Sequence, residues 1–431
     1  MEPVRSAYTL LGLTLLPLVP LRLWWRGRRE PGYRHAIGER FGRYRGVVAG
    51  PTFWIHAVSV GETHAAAPLV ARLKATYPQA TVLLTHMTAA GRATGQALFG
   101  DRVVQAWLPY DVPFAVSSFY AHYRPQAGFL LETELWPNLI SAAQAAGIPL
   151  YLVNARMSER SEGLYRRFRA LTRPMLQRLS GVAAQTPADA ARLVALGAPD
   201  PIITGNLKFD VSIPSTAPEL AAGLRLRFGA TRAVWLAAST RDGEEALLLD
   251  AWTRRELPGN PLLLLVPRHP QRFELVAELL RARGIAFVRR SDGAPVPADT
   301  RVMLGDSMGE MAAYYAASDV AFIGGSLLPL GGQNLIEALA VGTPVVVGPH
   351  TFNFAEATAG AIAAGAALRV ADADALLATL AALLADPRRR SAMRAAAHRF
   401  HELHRGAADR LWAWLAPRLP SAATLSRQTP G

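Results

Sequence analysis

FWIHAVSVGET, residues 53–63, runs from an apolar segment straight into a glutamate beside a glycine. The apolar part reads as a buried strand, and its polar residues fall where such a strand ends. Ser59 and Glu62 have the SxxE spacing of a capping box, in which the glutamate bonds back to the helix start and complements its dipole. Pro68 complicates that picture, because proline suits the first turn of a helix and kinks its interior. Either the helix is kinked or it starts later, which leaves Glu62 in a loop. A carboxylate held by a rigid scaffold at a strand end is a candidate general base. The local pattern leaves both roles open.

Outward from this stretch, apolar runs alternate with alanine-rich helical segments: TFWIHAVS, TVLLTHM, VVQAWLPY, AGFLLET, PLYLVNA, GVAAQT and PIITG. Continuous apolar runs are the mark of parallel strands covered on both faces, so a doubly wound α/β domain is predicted over residues 31–210. A proline-bearing segment at 211–232 reads as a linker, and the rhythm restarts with AVWLAAST, PLLLLVPRHP, RVMLGDS, VAFIGGS and PVVVGPH. A second α/β domain is predicted over 233–418, with a helical carboxyl-terminal stretch, and 419–431 reads as a disordered tail. No repeat of solenoid period is visible.

The 431 residues exceed one ordinary core, in keeping with two domains. The chain has no cysteine, which removes disulfides, zinc ribbons and thiol nucleophiles together. The formal charge is +13, carried almost wholly by arginine. Such a surplus favours phosphates, anionic lipids or nucleic acid, but basic residues are not interleaved with aromatics for base stacking, so no nucleic-acid partner is expected.

Residues 7–25, AYTLLGLTLLPLVPLRLWW, are followed by RGRR at 26–29. About 20 apolar residues cross a bilayer, so this segment within 1–30 reads as an uncleaved membrane anchor, spanning the membrane or lying in its interface. Trp24 and Trp25 suit the interface level, and the arginines that follow predict a cytoplasmic location for the rest. Arg34, Arg40, Arg43 and Arg45 extend the basic stretch toward either general lipid attraction or a docking surface for a phosphorylated, membrane-held substrate. Glu39 among them reads as an arginine's ion-pair partner.

In open parallel sheets, ligands bind beyond the carboxyl ends of the strands. In the first domain these ends supply Glu62, Glu132, Glu134, Asn154 and Arg156. In the second they supply Arg268 and His269, then Gly309 and Glu310, then glycines leading into a helix near Asn334, with Glu337 in its first turn where it could hold a ribose. These are nucleotide-binding features, although not the GxGxxG fingerprint. His398, His401 and His404 read as an exposed helical face, and Asp242, Glu244 and Glu245 as an acidic helix start; no metal site is predicted.

Taken in order, RLWWRGRREPGYRHAIGERFGRY, SVGET, ETELWPNLI, NARMSERS, GNLKFD, VPRHPQRF, GDSMGEM, GGSLLPLGGQNLIEA and GPHTFNF resemble the 3-deoxy-D-manno-octulosonic acid (Kdo) transferase family over nearly the whole chain. The resemblance implies a GT-B fold, two Rossmann-like domains facing a cleft, with the acceptor on the first and the nucleotide sugar on the second. It implies the donor CMP-Kdo, the acceptor lipid IVA, release of CMP with inversion, no cofactor or metal, and work at the cytoplasmic face of the inner membrane, held by residues 7–25 and the arginines after them. By motif, Glu62 is implied as proton acceptor, and Glu132 and Lys208 as transition-state stabilisers. Arg268, His269, Gly309, Glu310, Met311, Asn334, Leu335, Ile336 and Glu337 are implied to hold CMP. Glu132 has a plainer alternative, an ion pair with an arginine such as Arg156. Two other readings of the chain stay open, a GT-B enzyme or epimerase acting on another nucleotide sugar, and a membrane-surface binder that has kept the fold.

Overall fold

A computed structural model describes residues 3–422 and 425, apart from 47, 49, 212, 230 and 256. The chain divides into two compact units, residues 1–210 with 405–431, and residues 211–404. In the first, β1 (Thr52–His56), β2 (Thr81–His86), β3 (Val104–Trp107), β4 (Pro125–Leu131), β5 (Leu150–Ala155), β6 (Gly181–Ala184) and β7 (Ile202–Ile203) form a sheet in the order β3-β2-β1-β4-β5-β6-β7. Every pairing is parallel. Strands β1, β4, β5 and β6 are buried almost throughout, because helices cover both faces, and this explains the unbroken apolar runs.

The second unit repeats the plan with β8 (Val234–Thr240), β9 (Leu262–Pro267), β10 (Phe287–Arg289), β11 (Val302–Leu304), β12 (Val320–Ile323), β13 (Val345–Val347) and β14 (Ala367–Arg369), in the order β10-β11-β9-β8-β12-β13-β14. The outer strands β10 and β14 were not among the runs legible in the sequence. None of the residues of β10 is fully buried and only Ala367 is in β14, so neither carries the apolar run of a central strand.

The structure corrects several expectations. The segment read as a linker holds a helix, Ala217–Phe228, whose Ala217, Ala221, Leu224 and Phe228 are buried. The last helix, Ala407–Leu415, expected with the second domain, belongs to the first, where Leu411 and Leu415 join the core formed by Phe53, Ile55 and Leu73. Leu419 and Leu425 are buried in the same core, so part of the expected tail is packed; positions 423–424 and 426–431 lie outside the described residues. On the Pro387–His404 helix, His401 is buried and does not share an exposed face with His398.

The amino-terminal segment forms Pro3–Leu15 and Val19–Arg29, joined by a 3-10 turn at Leu16–Leu18. It is long and apolar enough to cross a membrane. One side rests on the first unit: Thr9 is buried and its hydroxyl donates to Asn138 Oδ1 at 3.1 Å, and Leu23 is buried near the other end. Leu10, Leu11, Leu18, Leu21 and Trp25 are exposed. Arg40 is not available for docking: its guanidinium is buried 3.8 Å over the Trp107 ring, and Nη2 donates to Met87 O. Glu39 makes its expected ion pair, with Arg92 at 3.1 Å, and also accepts Trp107 N–H at 2.8 Å.

Candidate active site

In the first unit the strand order reverses between β1 and β4, the switch point where open α/β sheets bind ligands. Glu62 follows β1 and Glu132 follows β4.

The helix after β1 is Val60–Thr76; it runs through Pro68 and does not begin after it, so Glu62 lies in its first turn. Ser59 is the N-cap, and its Oγ accepts Glu62 N–H at 3.3 Å. The Ser59 hydroxyl donates to Glu62 Oε1 at 2.8 Å and Val58 N–H to Oε2 at 2.9 Å. This is a capping box closed on the residue before the cap, and it fixes the carboxylate without excluding a second role. Burial, and then the charge of Glu132, raise the Glu62 pKa to about 6, against the pull of the Val58 and Ser59 donors.

Glu132 adopts a left-handed backbone, φ +58°, and its Oε1 lies 2.7 Å from Lys208 Nζ. The ion pair of Glu132 is thus made with Lys208. Lys208 sits in the Leu207–Phe209 3-10 turn, and a Cβ at Gly61 would stand 3.6 Å from its Nζ, so the ammonium passes directly beside the helix start that carries Glu62.

Sequence reasoning missed His56. It closes β1, is fully buried, and its Nε2 lies 3.9 Å from Glu134 Oε2, which accepts Trp136 Nε1–H at 3.0 Å. A histidine inside the otherwise apolar FWIHAV was the available signal.

In the second unit the order reverses between β8 and β12. Arg268 and His269 follow β9, and burial, then the charge of Arg268, hold the His269 pKa below its ordinary value. Gly309, φ +80°, is exposed, and Glu310 and Met311 begin the Met311–Ala316 helix. The Glu310 carboxylate is engaged by Arg290 at 2.9 Å and the Ser307 hydroxyl at 2.6 Å. Leu335 and Ile336 are buried, the helix starts at Ile336, and Asn334 turns back on it: Oδ1 accepts Ile336 N–H at 2.9 Å and Nδ2 donates to Glu337 Oε1 at 3.1 Å. Burial raises the Glu337 pKa.

Glu244 is the brace of this site. Fully buried, it accepts N–H bonds from Arg241, Gly325 and Leu327, pinning the glycine turn after β12. Among the described residues no group of three or more His, Asp or Glu could hold a metal ion.

Comparison with known proteins agrees with this architecture. Residues 288–400 match the family of group 1 glycosyl transferases. Anabaena HepE in complex with UDP superposes with a TM-score of 0.55 at 15% identity, covering 86% of this chain and all of that one. A glycosyltransferase from Rickettsia africae gives 0.53 at 12%, covering 88% and 99%. The fold is that of the GT-B class of glycosyltransferases. Residues 35–211 match the family described as 3-deoxy-D-manno-octulosonic-acid transferase. The Bordetella pertussis 3-deoxy-D-manno-octulosonic acid transferase is 48% identical over 94% of this chain and 97% of its own, and that of Haemophilus influenzae 39% over 96% and 99%. The chain belongs to the Kdo transferase family.

Proposed function

We propose that this Kdo transferase takes its sugar from CMP-Kdo, places it on a hydroxyl of lipid IVA with inversion at the anomeric carbon, and releases CMP, without a metal. The acceptor hydroxyl gives its proton to Glu62 as its oxygen forms the new bond to the sugar, and the bond from that carbon to the CMP phosphate breaks on the opposite side. Positive charge grows on the ring and negative charge on the departing phosphate, so a cation near the phosphate and a carboxylate near the ring lower the barrier. Lys208 and Glu132 are that pair in this reading. Arg268, His269, the 309–311 loop and the Asn334–Glu337 turn hold CMP, with Glu337 on the ribose. The ion pair at Glu310 leaves backbone N–H groups as that loop's ligand contacts.

The observation that carries the reading is a buried carboxylate, with its pKa raised to about 6, beside a lysine–glutamate pair at the switch point. Ionised at neutral pH yet more basic than an exposed glutamate, Glu62 suits proton removal. The outer face of the amino-terminal helix supports attachment at the cytoplasmic surface of the inner membrane. Because Thr9 and Leu23 face the protein at either end, the arrangement favours a helix lying in the interface.

Purified protein incubated with CMP-Kdo and lipid IVA in EDTA should yield a Kdo-bearing lipid by mass spectrometry, and NMR of the product should show the inverted anomer. Turnover of a UDP-sugar with no lipid, or a need for added divalent metal, would overturn the proposal.

A further inference from the structure

Asn154 is the last residue but one of β5, wholly buried, with φ +51°. A left-handed backbone is disfavoured for residues with a Cβ, least so for asparagine, and free for glycine. Its Nδ2 is buried and meets no partner among the described residues. An unpaired buried donor costs roughly 1–3 kcal/mol, so the backbone and Nδ2 by themselves favour glycine here, and only the acceptor oxygen opposes it. Among the described residues the side chain makes one hydrogen bond: Oδ1 accepts Leu207 N–H at 2.9 Å, across 53 residues of sequence.

That bond falls on the residue before Lys208. Asn206 Oδ1 accepts Lys208 N–H at 3.0 Å, so two successive amides of the turn are held by asparagine oxygens. Glu132 stands on the neighbouring strand end, its N–H donating to Val153 O at 3.1 Å, and it too is left-handed. Two adjacent strand ends thus adopt the same disfavoured conformation. One presents the carboxylate, and the other grips the turn that brings the ammonium to it.

We infer that Asn154 is a positioning residue for the transfer step, holding the Leu207–Phe209 turn so that Lys208 stays against Glu132 where the leaving phosphate needs its charge. This rests on the reading of Lys208 as a transition-state stabiliser. The amide does not touch the reacting atoms. It removes the freedom a lysine on an unrestrained turn would have, and misplacement of about 1 Å can cost as much as about 100-fold in rate.

The test compares Asn154→Gly, Asn154→Ala, Lys208→Met and the Asn154→Gly/Lys208→Met double variant by kcat, KM and melting temperature. Glycine relieves the backbone and removes the acceptor. A purely conformational role therefore predicts wild-type kcat for Asn154→Gly and damage only in Asn154→Ala. The inference predicts a fall in kcat of about 10- to 100-fold for Asn154→Gly. KM for both substrates stays within about twofold, melting is unchanged, and no further loss appears in the double variant beyond that of Lys208→Met. Wild-type kcat in Asn154→Gly, or additive losses in the double variant, overturns it. Wild-type kcat in Lys208→Met overturns the Lys208 reading and this inference with it. If Asn154→Gly melts early, Asn206→Ala loosens the same turn without touching the strand, and wild-type kcat there also overturns it.

Discussion

Glu62 caps a helix and, in the proposed reaction, takes a proton. The two roles act on one carboxylate in opposite directions, since the Ser59 and Val58 donors stabilise its charge while burial and Glu132 oppose it. With a pKa of about 6, activity should climb from pH 5 to pH 7 and level off, as the base is lost on protonation. Replacing Glu62 with glutamine should lower kcat by about 100-fold or more, leaving CMP affinity by calorimetry near wild type. Ser59→Ala removes a donor to the charged form, so the Glu62 pKa rises and the acid limb of the rate profile should move to higher pH. The lost cap should also reduce stability by about 1 kcal/mol in urea denaturation. A limb that moves toward acid would contradict the bond between these two side chains. Ser59 and Glu62 were visible in the sequence as a spacing. The partnership of Glu132 with Lys208 was not, because the residues are 76 apart in the chain and meet only when β4 and the Leu207–Phe209 turn are in place.

At the scale of elements, the central strands were legible because burial on both faces leaves unbroken apolar runs, whereas β10 and β14 are only partly buried and leave no such run. Pro68 shows the limit of a local rule: tertiary packing of Ala65, Ala66, Leu69 and Val70 keeps the helix intact around a proline. Glu244 teaches the converse. Its acidic helix-start signal was correct, but the carboxylate also bonds a glycine turn 81 residues away, which no local pattern reveals. Glu244→Ala would leave three backbone N–H groups without that acceptor. At roughly 1 kcal/mol or more for each, the second unit should lose about 3 kcal/mol or more, read from the urea midpoint, and CMP binding should weaken with it.

At the scale of the molecule, the chain ends are the informative parts. The carboxyl-terminal helix is tied to the first unit by Asp210, which accepts Gly406 N–H and Ala408 N–H at 2.5 Å, by Arg410 donating to Thr204 O at 2.8 Å, and by the Arg72–Asp409 ion pair. Leu411→Ala, within its buried core, should cost about 2–5 kcal/mol, and truncation after His404 should leave the first unit unable to fold, seen as loss of soluble protein. At the other end, replacing exposed Leu18 and Leu21 with serine should release the protein from anionic vesicles in a sedimentation assay without lowering its melting temperature. Unchanged sedimentation would mean that this face is not the membrane contact.

The sequence by itself determined the two parallel sheets, the strand ends where polar residues gather and the apolar amino-terminal segment, because each is written in periodicity, spacing or composition over a few consecutive residues. Only the tertiary structure decided that Lys208 stands on Glu132, that His56 faces Glu134, that Arg40 is packed on Trp107, and that the last helix completes the first core. These depend on contacts between residues far apart in the chain, whose partners are selected by packing and buried hydrogen bonding and leave no mark on the neighbouring residues of the sequence.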